Sequence, residues 1–196
     1  MTGKEFKSLW EKMGREFTSF ELKLDSRQYA HISYVKRAKE KKGQSLRYSL
    51  DYIFVYDGRA YCTDGKALHW CDTDIPDGMY DIKNRVIIRM HPHELLRYPN
   101  IFSITDPNLA LCCNSTKIYT CRDIDSIGKQ TFDICRTVEK GTYDADYILN
   151  ALCEGIVSDV YEVTHYFNTS GIDDSHYLCV NGDGWGAILC QIVPPK

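Results

Sequence analysis

The residues of this chain that could do chemistry are its nine cysteines and six histidines. A nucleophilic enzyme needs a serine or cysteine beside a histidine that an acid orients, and no Gly-x-Ser-x-Gly elbow or comparable context occurs. No two cysteines have the C-x-x-C spacing of a zinc or redox site, and Cys112 and Cys113 are adjacent. We interpret the cysteines as free thiols that act as small buried hydrophobic residues in a reducing cytoplasm.

Two short motifs resemble ligand sites but lack the side chains that the ligand would need. His91-Pro92-His93 offers two rings without a third ligand nearby, so a turn before Glu94 is the better interpretation. Asn181-Gly-Asp-Gly-Trp-Gly resembles a calcium loop, yet its fifth and twelfth positions are Trp185 and Ile192. It is followed by strand-forming residues instead of a helix, which excludes a phosphate loop. We therefore expect a tight hairpin there, and no metal or cofactor.

A basic stretch at residues 35–43 is the clearest local charge feature. The chain as a whole has a net charge of -3, so nucleic-acid binding has to come from local patches. The stretch contains the single acid Glu40 and five cations: Lys36, Arg37, Lys39, Lys41 and Lys42. Charge runs are common on protein surfaces, so the stretch is either a solvated segment or a DNA-facing one.

Length and composition indicate an ordinary globular protein. Its 196 residues suffice for one large domain or two small ones, since a single core uses on the order of 100 to 150 residues. Hydrophobic residues make up 43% and charged residues 26%, which argues against long disorder. The alternating charges at residues 1–12 differ from a signal peptide, and no apolar run reaches the ~20 residues of a membrane helix. We expect a cytoplasmic protein without a membrane segment.

The first predicted element is an amphipathic helix. Thr2 followed by Glu5 is a capping box, and Gly14 is a plausible end. The apolar stripe that follows has helical spacing and comprises Phe6, Leu9, Trp10 and Met13. Alternating apolar residues at 17–24 then predict a strand with one solvated face.

Strand formers dominate the remainder. Residues 52–56 and 59–63 flank Asp57-Gly58, which predicts a hairpin. Further strands are expected at 66–71, 79–82, 86–90, 108–113, 117–121, 131–138, 160–167, 176–180 and 186–193. A short helix capped by Asp144 interrupts them, with a buried stripe of Tyr147, Ile148, Ala151 and Leu152. The pattern predicts an α+β protein with antiparallel sheets and two short helices on one face.

Residues 48–69 resemble a segment of the bacterial beta sliding clamps of DNA polymerase III, including the shorter clamp-like proteins of phages and mobile elements. Thr63, Asp64, Gly65 and Leu68 match the family's Ala-Thr-Asp-Gly-His-Arg-Leu turn, and residues 75–80 fit the segment after it. Residues 98–101, Tyr-Pro-Asn-Ile, are similar to its Phe-Pro-Asp-Tyr, although Phe102-Ser103 replaces the following arginine pair.

Two later segments continue the resemblance. Residues 141–152 resemble the family's late helix, and residues 186–195 resemble its terminal strand. The matches cover about half of the chain and follow the family's order. They imply a DNA-clamp-like fold with two modules, at residues 1–106 and 107–196, or one merged domain.

The resemblance implies a processivity factor without enzymatic activity. In the family, a closed ring of modules encircles duplex DNA and contacts its phosphates without reading sequence. By this resemblance the DNA-binding residues would be Lys4, Lys7, Lys12, Arg15, Lys36, Arg37, Lys39, Lys41 and Lys42. The resemblance also implies that the ring closes by symmetric association of copies, as a homo-oligomer.

The family also tethers a polymerase or other partner through a short peptide that enters a pocket. The matching positions are Thr63, Gly65, Leu68, Pro99, Ile104, Ile192, Val193 and Pro194. Three hypotheses follow from the sequence. The protein is a clamp-like DNA tether, a clamp-fold module that binds peptides without encircling DNA, or an unrelated α+β enzyme whose reactive cysteine would have a lowered pKa.

Overall fold

The computed structural model describes residues 1–38, 47–95, 97–103, 111–120, 145–152, 160–168 and 176–190. The chain divides into two compact units. The first contains residues 1–65 and 70–109, and the second contains residues 66–69 and 110–196. The prediction of two clamp-like modules divided after residue 106 stays a prediction.

Two helices of the first unit begin with the same device. Helix α1 spans Gly3–Arg15, where the Thr2 side chain accepts from the Glu5 N–H and the Glu5 carboxylate accepts from the Thr2 N–H. Helix α2 spans Ser26–Val35 and is capped in the same reciprocal way by Asp25 and Gln28. These bonds satisfy backbone donors that lack partners inside a helix. The prediction of α1 is confirmed.

Helix α2 is absent from the sequence prediction, and the strand before it is shorter than expected. Strand β1 covers Glu21–Lys23 instead of residues 17–24. Tyr34 and Val35 are consecutive and both fully buried, which blurs the helical period. The Asp25 and Gln28 capping pair was the available signal.

The first unit contains an antiparallel sheet. Its strands are β1, β2 (Ile53–Tyr56), β3 (Arg59–Thr63), β4 (Ala67–Asp72), β5 (Gly78–Lys83) and β6 (Val86–Met90). Their order is β1-β6-β5-β2-β3-β4, and residues 66–69, at the start of β4, are grouped with the second unit. Asp57 and Gly58 have φ values of 51° and 72°, as the predicted Asp-Gly hairpin requires.

An aromatic core fills the first unit. Phe54 is fully buried and lies 5.2 Å from the Tyr98 ring and 5.9 Å from the Phe6 ring, centroid to centroid. Phe6 is the most deeply buried side chain of the predicted α1 stripe. Burial of such rings is the main favourable contribution to folding, and it fixes α1 against the sheet.

Helix α1 also packs on the short 3-10 helix Pro92–Glu94. Gly14 allows this approach, because a Cβ there would lie 2.9 Å from Nε2 of His93. The rings of His91 and His93 are stacked 5.1 Å apart. The predicted turn at this motif is confirmed.

The second unit contains strands β7 (Leu111–Thr120), β8 (Val160–Asn168), β9 (His176–Gly182) and β10 (Trp185–Cys190). They form an antiparallel sheet in the order β10-β9-β8-β7. The backbone N–H of Cys190 donates to the carbonyl oxygen of Lys66 at 2.8 Å. The predicted hairpin at the Asn-Gly-Asp-Gly-Trp motif is confirmed, with Gly184 at a φ of 71°.

The prediction of separate strands at 108–113 and 117–121 is wrong. Strand β7 is continuous through Asn114, Ser115 and Thr116, and a register shift lies between Cys113 and Ser115. A bulge absorbs the turn-forming residues without ending the strand. The strand predicted at 131–138 lies outside the described residues.

Helix α3, Ala145–Ala151, packs on β10. Ile148, Ala151 and Leu152 are buried as predicted, whereas Tyr147 is half-buried. The proposed cap, Asp144, lies outside the described residues. Both units combine antiparallel strands with short helices, so the α+β fold class is confirmed.

Candidate functional site

The exposed face of α1 carries four of the predicted DNA-binding cations. Helix α1 contains four cations and the two carboxylates Glu5 and Glu11, so its net charge is 4 − 2 = +2. The cations are Lys4, Lys7, Lys12 and Arg15, and all are exposed. Phe6 is buried on the opposite face. The helix therefore turns a cationic surface outward while it anchors itself by an aromatic ring.

The carboxylates near these cations leave the positive face largely intact. Lys7 lies 3.9 Å from Glu11 and Lys12 lies 3.9 Å from Glu16, with both members of each pair more than half exposed. Exposed pairs of this kind contribute little to stability and can be exchanged for other partners. The backbone N–H of Thr2 lowers the pKa of Glu5 and holds that carboxylate in the helix cap.

Two cavities flank α1, one on each side of the cationic face. We call the larger one the methionine cavity; it measures about 500 Å³. Its apolar lining includes Leu9, Met13, Phe17, Tyr56, Met79 and Met90. Lys12, Glu16, Asp77 and Arg89 are its charged lining residues, so cations and carboxylates are balanced there. Flexible thioether side chains adapt to apolar ligands of various shapes.

Arg89 fixes one wall of the methionine cavity. Its guanidinium donates to the Tyr80 hydroxyl at 3.1 Å, to the Thr18 hydroxyl at 3.1 Å and to the Asp77 carbonyl oxygen at 2.8 Å. Arg89 also lies over the Phe20 ring, 5.4 Å from its centroid. These contacts connect the segment after α1 to β5 and β6.

The smaller cavity, which we call the aromatic cavity, measures about 180 Å³. Phe6, Lys7 and Trp10 contribute to it from α1. Its other walls come from two segments outside the helix, and they include Tyr48, Arg97, Tyr98, Pro99 and Asn100. The described lining residues include two cations and no carboxylate. This cavity therefore differs from the methionine cavity in its charge.

The predicted basic stretch is described only in part. Lys36 and Arg37 lie in the 3-10 turn Lys36–Ala38 after α2, where Arg37 is exposed and Lys36 is half-exposed. Ala38 and Val35 are buried beside them, which holds the turn in place. Lys39, Lys41 and Lys42 lie outside the described residues.

The predicted peptide-pocket positions have different environments. In the first unit, Thr63 is 6% exposed, and its hydroxyl accepts from the N–H of Gly65 at 3.0 Å. Pro99 is half-buried and lines the aromatic cavity. Leu68, in the second unit, is 3% exposed. The other positions, Ile104, Ile192, Val193 and Pro194, lie outside the described residues.

The two described thiols with a shifted pKa, Cys71 and Cys179, are unsuited to act as catalytic nucleophiles. Burial raises the pKa of Cys71, and burial raises the pKa of Cys179 to about 12. A nucleophilic cysteine needs the opposite shift. The described part of the chain contains no cluster of histidine, cysteine or acidic side chains that could hold a metal ion. Within those residues, no helix is long and apolar enough to cross a membrane.

Comparison with solved structures assigns the fold. The DNA polymerase III subunit beta from Pseudomonas aeruginosa matches 90% of this chain with a TM-score of 0.53 at 12% identity, and 67% of that protein is covered. The same subunit from Borrelia burgdorferi, in complex with a natural product, matches 91% with a TM-score of 0.53 at 11% identity, over 65% of its length. The chain has the fold of DNA polymerase sliding clamps. No family model and no curated protein matches its sequence.

A further sliding-clamp structure from Pseudomonas aeruginosa gives the same result. It matches 89% of this chain with a TM-score of 0.52 at 12% identity. The chain spans 66% of the length of that clamp. The sliding-clamp fold is therefore present at a length of about two thirds.

Sequence reasoning named the cations of α1 as DNA-binding candidates but missed both cavities that flank the helix. Tyr48 and Arg97 are 49 positions apart, so only the folded chain brings them to one cavity. Met79 and Met90 were assigned to strands without a role. The available signal was the position of Trp10, because a tryptophan beside Lys7 on a helix is suited to a partly exposed binding site.

Proposed function

We propose that this protein is a sliding-clamp-like tether that encircles duplex DNA as a closed homo-oligomer. The observation that carries the proposal is the clamp fold, which matches 89–91% of the chain. A tether of this kind acts by topology and needs no catalytic group. The raised pKa of Cys71 and Cys179 disfavours these two thiols as nucleophiles.

The cationic face of α1 would provide the DNA contacts. The exposed cations of this face can contact phosphates, and such contacts do not depend on the base sequence. They are Lys4, Lys7, Lys12 and Arg15. Lys36 and Arg37 would extend this surface, together with Lys39, Lys41 and Lys42. Contacts of this kind are weak and depend on salt, so a closed ring can slide along the duplex.

Ring closure requires more than one copy. The chain spans about two thirds of a beta clamp chain, so a ring of ordinary size would be completed by symmetric association. The partner would be a DNA polymerase or another protein with a clamp-binding peptide. That peptide would contact the pocket positions around Thr63, Gly65 and Pro99, together with Leu68, Ile104, Ile192, Val193 and Pro194. We expect a cytoplasmic protein of phage, mobile-element or bacterial type.

The test combines solution mass with topological retention. Light scattering at several protein concentrations, with and without nicked circular DNA, should give a discrete oligomer that stays on circles. Linearisation of the DNA should release it. The variant Lys4→Gln with Arg15→Gln should reduce loading, whereas Lys23→Gln, which removes one exposed cation outside α1, serves as the control. A monomer that is not retained on circles would overturn the proposal.

The methionine cavity favours a second candidate, a clamp-fold module that binds peptides without a ring. Its volume of about 500 Å³ lies within the about 300–1,000 Å³ typical of ligand pockets. Met13, Met79 and Met90 give it an adaptable apolar lining. Two results together would support this candidate. The protein would be a monomer that is not retained on DNA, and its methionine cavity would bind an apolar fluorescent dye with an affinity that Met90→Gln lowers.

A further inference from the structure

The aromatic cavity combines ring surfaces with positive charge. Trp10 and Tyr48 are both half-buried lining residues, so each can present part of its ring to a ligand. Phe6 and Tyr98 lie deeper, at 7% and 2% exposure. The cavity thus has a closed aromatic interior and an accessible aromatic entrance.

The cations of this cavity lie at its exposed side. The Lys7 side chain is 65% exposed, and Arg97 is exposed. A third cation is adjacent, because the Cζ of Arg47 lies 5.1 Å from the centroid of the Tyr48 ring. The charge arrangement favours a ligand with an aromatic group inside and an anionic group outside.

Two hydrogen bonds hold the walls in position. The N–H of Ser49 donates to the carbonyl oxygen of Arg97 at 3.2 Å, which joins the segments that carry Tyr48 and Arg97. The Asn100 side chain donates to the carbonyl oxygen of Met1 at 3.1 Å, which joins the second segment to the start of α1. A preorganised cavity loses less entropy when a ligand binds.

The volume limits what can enter. At about 180 Å³, the cavity is smaller than the about 300–1,000 Å³ of pockets that enclose a whole small molecule. One planar ring system fits this size better than a complete nucleotide. The sugar and phosphate would then remain outside, where Lys7 and Arg97 lie.

We infer that the aromatic cavity binds one unpaired base of single-stranded nucleic acid, with the adjoining phosphate at Lys7 and Arg97. Base stacking on aromatic rings beside cations is how single strands are bound without sequence preference. An acidic peptide with an aromatic side chain shares part of this chemistry. Continuity with the cations of α1 favours nucleic acid, because Lys7 belongs to both surfaces. The inference extends the proposed DNA-tethering function but requires no ring.

The experiment uses the full chain and a fluorescein-labelled oligothymidylate of about ten nucleotides. Fluorescence anisotropy at about 50 mM and about 200 mM salt gives the affinity and its salt dependence. Tryptophan emission gives a local signal, because Trp185 is fully buried and the Trp70 ring is covered by Arg59 at 4.5 Å. We expect the oligonucleotide to bind and to quench emission from Trp10.

Substitutions assign the signal to the cavity. Trp10→Ala should weaken oligonucleotide binding about tenfold through the lost stacking surface. Trp10→Phe should retain most of the affinity and abolish the quench, which keeps the test valid if Trp10→Ala fails to fold. Lys7→Gln should weaken binding and reduce the salt slope by about 0.7 for one lost phosphate contact. Lys23→Gln should leave both the binding affinity and the salt slope unchanged.

The outcomes separate this inference from the ring proposal. Oligonucleotide binding with the expected variant effects, in a protein that is not retained on circular DNA, would support the base site and overturn the ring. Retention on circles without binding of the oligonucleotide would overturn the base site alone. Quenching of Trp10 by a peptide of alternating aspartate and phenylalanine, but not by the oligonucleotide, would assign the cavity to an acidic peptide and overturn the inference.

Discussion

The indole ring of Trp185 covers Gly182, its antiparallel partner across the β9–β10 hairpin. A Cβ at Gly182 would overlap Cε2 and Nε1 of Trp185. Trp185 is fully buried, so the ring cannot move outward without losing its contacts. The absence of a side chain at position 182 is therefore a packing requirement of the second unit.

Gly182→Ala should lower the free energy of unfolding by about 1–3 kcal/mol, the usual cost of overpacking a core. Urea denaturation followed by tryptophan fluorescence measures the effect. Gly3→Ala is the matched control, because a Cβ at Gly3 meets nothing within 4 Å. Equal stability of the two variants would contradict this account of the hairpin.

Tyr80→Phe should destabilise the first unit by about 1–3 kcal/mol, because the buried Tyr80 side chain loses two hydrogen bonds that each contribute about 0.5–1.5 kcal/mol. The Tyr80 hydroxyl donates to the Pro76 carbonyl oxygen at 2.6 Å and accepts from the Arg89 guanidinium at 3.1 Å. Thermal unfolding followed by circular dichroism is the measurement. Tyr29→Phe provides the control, since the ring that lies under Arg85 is retained. A neutral Tyr80→Phe variant would show that Arg89 finds other partners.

Alkaline pH should destabilise the protein through Tyr98. Burial raises the pKa of Tyr98 well above its usual value of about 10, so the folded chain keeps a proton that the unfolded chain releases. The stability is fully present below pH ~10 and is lost as the pH rises toward the folded pKa. Urea denaturation at pH values on either side of ~10 should show a smaller loss for Tyr98→Phe than for the wild type. If the wild type and Tyr98→Phe lose the same stability at alkaline pH, Tyr98 does not contribute to the alkaline destabilisation.

Replacement of α1 cations should change the salt dependence of DNA binding more than it changes stability. If Lys4 and Arg15 each contact one phosphate of duplex DNA, Lys4→Gln with Arg15→Gln should reduce the slope of log K against log salt by about 1.8. Titration of a duplex at several salt concentrations measures the slope. Lys23→Gln should leave this slope unchanged. An unchanged slope in the double variant would show that Lys4 and Arg15 do not contact DNA.

Local patterns were sufficient where short-range chemistry decides the structure. The Thr2 and Glu5 capping box, the Asp57-Gly58 turn and the α3 stripe each depend on neighbours within a few positions. Helix α2 escaped prediction because two of its three buried residues, Tyr34 and Val35, are consecutive. The turn-like residues after Cys113 were absorbed as a bulge, since pairing with β8 outweighs their local preference.

The sequence by itself determined the α+β class, most element positions, the candidate cations of α1 and the resemblance to sliding clamps. Only the tertiary structure decided what lies beside those cations. The methionine cavity joins α1 to β5 and β6, and the aromatic cavity joins Trp10 to Tyr48 and Arg97. Residues so far apart in the chain meet only when burial of the aromatic core orders the strands, and no local pattern in the sequence records that proximity.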